Sequence, residues 1–93
     1  MIIISDITYN ELRKGDSVIF ARVLPRIGYY ELLDLHIVSV YDKYCTGADT
    51  KTKQTYCFGR KCAEDVLFLN RNLAIEYLNK KKQENKNVKV AEE

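Results

Sequence analysis

Ser17-Val18-Ile19-Phe20-Ala21-Arg22-Val23-Leu24 is stopped by Pro25-Arg26-Ile27-Gly28 and followed by the extended run Tyr29–Tyr41. The first segment is rich in β-branched and aromatic residues with one charge, Arg22, which predicts a strand buried on both faces or nearly so. Within Tyr29–Tyr41, Leu33, Leu35, Ile37, Ser39 and Tyr41 fall on one face, and Leu32, Asp34, His36, Val38 and Val40 on the other. Apolar residues on both sides predict a strand that bends or bulges as it changes faces.

Upstream, Ile7–Lys14 reads as one helical turn or an irregular lead-in that ends at the turn signal Gly15-Asp16. Downstream, Lys43–Ala48 and Gln54–Arg60 predict a hairpin across the polar tip Asp49-Thr50-Lys51-Thr52-Lys53. Val66–Leu69 predicts a short final strand. Asn70 then caps a helix over Arg71–Lys82, whose Leu73, Ala74, Tyr77, Leu78 and Lys81 share one face. Lys80-Lys81-Lys82 places positive charge at the negative end of the helix dipole. The expected class is mainly β (α+β): a small SH3-like barrel, or a curved five-stranded antiparallel sheet, with a C-terminal α-helix. Residues 1–82 make one domain, and 83–93 are expected to be a frayed or disordered tail.

Ninety-three residues allow only a small core, which suits a surface site better than a deep catalytic cleft. Hydrophobic residues at 46% and charged ones at 30% describe an ordinary globular chain. Seven tyrosines among the aromatics suit half-exposed strand faces, where the ring is buried and the hydroxyl stays wet. The net charge of +2 is too small to imply nucleic acid by itself. Its distribution is uneven: residues 1–49 carry five basic and seven acidic side chains, residues 50–93 ten and six. Three cysteines cannot all pair within one chain, and Met1-Ile2-Ile3-Ile4 lacks the basic flank and length of a signal peptide. No run approaches the roughly 18 apolar residues of a membrane span. The expectation is a cytoplasmic protein with reduced thiols.

Cys45, Cys57 and Cys62 with His36 have no C-x2-C knuckle, so no metal site is expected; Cys45 and Cys57, symmetric about Lys51, are read as a packed, reduced pair. No acidic residue at recognisable spacing orients a Cys–His pair. Glu31 and Asp34, or Glu64 and Asp65, read as solvated carboxylates at strand edges or turns, and the four glycines are too scattered for a phosphate loop. No catalytic residue and no cofactor are therefore expected, and the chain reads as a binding module. Tyr29, Tyr30, Tyr41, Tyr44, Tyr56 and Phe58 fall on strands, with Arg60 and Lys61 directly after the last. Sheet-borne aromatics beside cations can take a peptide side chain or stack bases. The Cys45–Lys61 hairpin is the expected surface, with Tyr44, Tyr56 and Arg60 as anchors and Lys51 and Lys53 as steering charges. A protein partner is the first reading. A nucleic acid bound by the Lys51–Lys61 hairpin and the basic helix end is the second.

Leu12-Arg13-Lys14-Gly15-Asp16-Ser17-Val18 resembles the approach to the first strand of Tudor-type and KOW-type SH3-like barrels. The run from Leu12–Asp16, through the Lys-bearing hairpin Asp49–Gln54, to Val66–Arg71 and a helix containing Ala74 is similar to small proteins of phages and prophages of Gram-positive bacteria. The resemblance covers nearly residues 6–82, in short motifs of structural residues. It implies an accessory protein of a mobile element, an inhibitor or modulator that binds a host protein such as a defence nuclease in the host cytoplasm. It transfers no site residues.

Overall fold

β1 (Ser17–Leu24) sits inside the sheet, paired antiparallel with β2 (Tyr29–Val40) on one side and β5 (Leu67–Phe68) on the other. The computed structural model describes the backbone of residues 5–92 and the side chains of residues 5–84. β3 (Tyr44–Asp49) and β4 (Thr55–Gly59) extend the sheet beyond β2, giving the order β4-β3-β2-β1-β5. Successive side chains alternate faces, so Val18 and Phe20 point one way and Ile19 and Ala21 the other. Both sets are packed. The apolar run of β1 is thus explained by two cores.

On the inner face, Val18, Leu35, Ile37, Cys45, Phe58 and Leu67 pack beneath Ile7, Tyr9 and Leu12 of the lead-in. On the outer face, Ile19, Ala21 and Phe68 pack against Ala74 and Leu78 of the C-terminal helix α2 (Arg71–Glu92). The sheet curls strongly: Phe20 of β1 lies edge-on to Tyr56 (5.4 Å between centroids) and Phe58 (4.9 Å) of β4, with two strands between them in the sheet. It does not close. β4 and β5 are the two edges of an open five-stranded antiparallel sheet, so the curved-sheet form of the expectation holds and the closed barrel does not. A seven-residue helix, α1 (Arg60–Val66), links the edges and buries Ala63 beneath the inner face.

Several local expectations hold for stated reasons. The β2–β3 register shifts between Ile37 and Ser39, and Val38 is left 39% exposed at this irregularity. Asp16 accepts a hydrogen bond from the Arg13 amide (2.8 Å), and Gly15 supplies the left-handed φ of +92° that the turn requires. Asn70 caps α2 by accepting from the Asn72 amide (2.8 Å). Asp6 accepts from the Leu69 and Asn70 amides, which pins the start of the helix to the lead-in.

Other expectations need correction. Pairing of Cys45 with Phe58 and of Thr46 with Cys57 shifts the hairpin register by one residue, so Cys45 is buried and Cys57 exposed. A slip of one residue turns a strand's side chains to opposite faces, and the two cysteines do not form a packed pair. Arg60 opens α1 instead of ending a strand, and the final strand shrinks to Leu67–Phe68. α2 runs to Glu92, past the helix end expected at Lys82. Its extension is built of Lys, Gln, Glu, Asn, Val and Ala and holds no Gly or Pro to stop it. Residues 1–4 and 93 lie outside the described residues.

Candidate functional site

The β3–β4 hairpin carries Tyr44, Lys51, Lys53 and Tyr56, and Arg60 follows it as the first residue of α1; the two ends of the hairpin serve different surfaces. At the tip, Asp49 is 5% exposed and accepts hydrogen bonds from the Lys51 amide (2.7 Å) and the Thr52 amide (3.2 Å). The Thr50 amide donates to the Asp34 carbonyl (3.0 Å), tying the tip back to β2. Lys53 takes a left-handed φ of +67°, and its ammonium donates to the Thr50 carbonyl (3.2 Å). Lys53 is therefore folded into its own turn, while Lys51 lines a cleft.

The Asp49 carboxyl is held below its ordinary value of 3.8, chiefly by the hydrogen bond from the Lys51 amide. A carboxylate with a lowered folded pKa stabilises the native state in full above the ordinary value, and the contribution fades as pH falls through the lowered one. Thermal melts should thus show an acid-dependent loss below 3.8 that is shallower in Asp49→Asn than in the parent. Identical pH profiles for the two proteins would contradict this assignment.

The cleft beside the tip has a volume of about 230 Å3 and is bounded by Arg22, Tyr29, Glu31, Lys51, Gln54 and Tyr56. The Arg22 guanidinium lies over the Tyr29 ring (5.3 Å to the centroid) and the Tyr56 ring (5.5 Å). Arg22 reaches this place because it follows Val18 and Phe20 at the two-residue period of the inner face. The sequence marked it only as the lone charge of β1. The strand's alternation was the signal that could have found it.

At the opposite end of the hairpin, Tyr41 and Tyr44 flank the two-residue turn Asp42-Lys43. Their rings lie 4.7 Å apart, and the residues are 51% and 42% exposed. The turn is fixed from several directions. The Tyr41 amide donates to the Tyr44 carbonyl (2.8 Å), and the buried Tyr9 hydroxyl donates to the Tyr41 carbonyl (2.7 Å). Arg60 donates to the Asp42 carbonyl (2.7 Å) and to Asn10 Oδ1 (2.6 Å), with its guanidinium 4.5 Å from the Tyr9 ring centroid. Arg60 thus staples α1 and the lead-in to this turn.

The structure brings Tyr44 and Arg60 to one end, with Tyr41, and places Tyr56 and Lys51 at the other, with Arg22 and Tyr29. Tyr44 pairs with Gly59, three residues along β4 from Tyr56, or about 10 Å at the usual strand rise. The two tyrosines also point to opposite faces of the sheet. Among the described residues no three His, Cys, Asp or Glu side chains gather as a metal site. No helix among them is long and apolar enough to cross a membrane.

Comparison with protein-family models, with curated proteins and with solved structures returns no match to this chain.

Proposed function

We propose that this chain is a non-enzymatic protein-binding module whose contact surface centres on the adjoining Tyr41 and Tyr44 rings. The observation that supports this reading is the way the pair is displayed. Two large aromatic side chains stand 51% and 42% exposed on a two-residue turn held by bonds from Tyr9, Tyr44 and Arg60. Aromatic rings presented on fixed backbone offer contact area at little entropic cost, which is the usual composition of an energetic centre in an interface. Asp42 and Lys43, between the two tyrosines in sequence, add one charge of each sign, which gives orientation without a net phosphate-attracting field.

The resemblance to phage and prophage proteins extends the proposal to a modulator of a host protein acting in the host cytoplasm. A tagged chain added to a nuclease-treated bacterial extract should retain a partner protein, and Tyr44→Ala should release it. Retention that disappears on nuclease treatment would replace this reading with nucleic-acid binding.

A further inference from the structure

We infer that the cleft at the hairpin tip is a second binding site, separate from the tyrosine pair, which takes a glutamate or aspartate side chain of a peptide segment on Arg22. The charged groups of the cleft differ in whether they are already partnered. Asp34 is ion-paired with Arg71 (2.6 Å), Asp49 accepts from two backbone amides, and Glu31 accepts from the Tyr29 hydroxyl. Each carboxylate has its own donor. The cations do not match this: among the described residues Arg22 makes no ion pair or hydrogen bond, and the Lys51 ammonium makes none either.

Arg22 is nevertheless held in place. Tyr29 and Tyr56 bracket its guanidinium, and Tyr56 is fixed in turn by its edge contact with Phe20, whose other neighbour Phe58 is buried. A guanidinium stacked on aromatic faces keeps its in-plane N–H donors free, and those donors match the two oxygens of a carboxylate. The stack fixes the side chain before binding, so little rotamer entropy remains to be lost. Lys51 at the rim adds attraction over a longer distance.

The same wall selects against a phosphate. Glu31, Asp34 and Asp49 face the cations Arg22 and Lys51, and Arg71 pairs with Asp34, so the cleft with its ion pair carries no net positive charge to favour a doubly charged anion. A singly charged carboxylate that contacts Arg22 directly tolerates this, whereas a phosphate, with up to twice the charge, meets more repulsion. The Tyr29 and Tyr56 rings and Leu33 offer apolar contact to the neighbours of the acidic residue, which is why the ligand is assigned as a peptide and not a free carboxylate.

The test is a nitrogen-15 NMR titration with an acetylated, amidated peptide of alternating leucine and glutamate. Its arms are the leucine–glutamine counterpart, acetate, inorganic phosphate and an oligothymidylate. The glutamate peptide should shift the Arg22 Nε–H and the amides of Tyr29, Lys51 and Tyr56 in a saturable way. Arg22→Gln should weaken that binding at least about tenfold, Arg22→Lys by less, and Lys51→Gln about twofold to threefold, each with the dispersed spectrum of the folded chain. The glutamine peptide should leave the Arg22 Nε–H unmoved. Three results overturn the inference: no saturable shift with the glutamate peptide at about 10 mM, equal affinity in Arg22→Gln, or acetate, phosphate or oligothymidylate binding the same residues as tightly. None of these outcomes bears on the Tyr41–Tyr44 surface, which the extract experiment tests by itself.

Discussion

Phe68→Ala is expected to lower the stability of the fold by about 3–5 kcal/mol, among the largest effects a single truncation has here. Phe68 is 0% exposed on the two-residue strand β5, directly opposite Ile19 of β1. Its ring lies 5.4 Å from Tyr77 of α2, so one side chain joins the short edge strand to the helix. Removing the ring opens a cavity between the sheet and α2, among Ile19, Ala21, Ala74 and Leu78. Denaturant unfolding followed by circular dichroism measures the loss. Ile27→Ala, at a side chain 74% exposed, is the internal control and should stay within about 0.5 kcal/mol of the parent. A loss under about 1 kcal/mol for Phe68→Ala would mean that α2 does not dock as described.

Tyr44→Ala should weaken partner affinity by about 1–3 kcal/mol, with little change in stability because the ring is already exposed. Tyr41→Ala should act in the same direction, since each ring holds the other in place. Arg60→Ala is expected to behave differently. It removes the staple between Asp42, Asn10 and the Tyr9 ring, so binding and melting temperature should fall together. The two hairpin lysines should also separate. Lys53 is folded onto the Thr50 carbonyl and its removal should hardly alter association, whereas Lys51→Ala should slow it. Isothermal calorimetry with the retained partner, paired with thermal melts of each variant, checks the whole set. Normal binding by Tyr44→Ala and Tyr41→Ala would remove the tyrosine pair from the interface.

The contrast between these residues shows what the amino-acid order reveals and what it hides. β1, the bulged β2 and the Asn70 cap were legible because each rests on local chemistry: an apolar run, an alternation that changes phase, a side-chain oxygen before a helix. α1 was not. Its seven residues carry few apolar side chains, chiefly Ala63 and Val66, too little to stand out from a loop, and it forms because tertiary packing buries them. The hairpin register lies one residue from the symmetric pairing because the polar tip Asp49–Lys53 does not mark its own centre. The Asp49 bonds that fix the turn are visible only once it is folded. The candidate site divided for a related reason. Tyr44, Tyr56 and Arg60 are close in sequence, but strand direction and alternation send Tyr44 and Tyr56 to opposite ends and faces. Arg22 and Tyr29, which complete the cleft with Tyr56, arrive from the far side of the sheet through its curl.

On the proposed function, the chain recognises a protein through preorganised aromatic contacts and not a polyanion through its lysines. The most direct test is the affinity for the retained partner as ionic strength rises from about 50 to about 200 mM, measured beside an oligonucleotide under the same conditions. The dissociation constant for the partner should change by no more than about threefold over this range, with no saturable oligonucleotide binding. A fall in affinity of about a thousandfold over the same range, the signature of several released counterions, together with tight oligonucleotide binding, would contradict it.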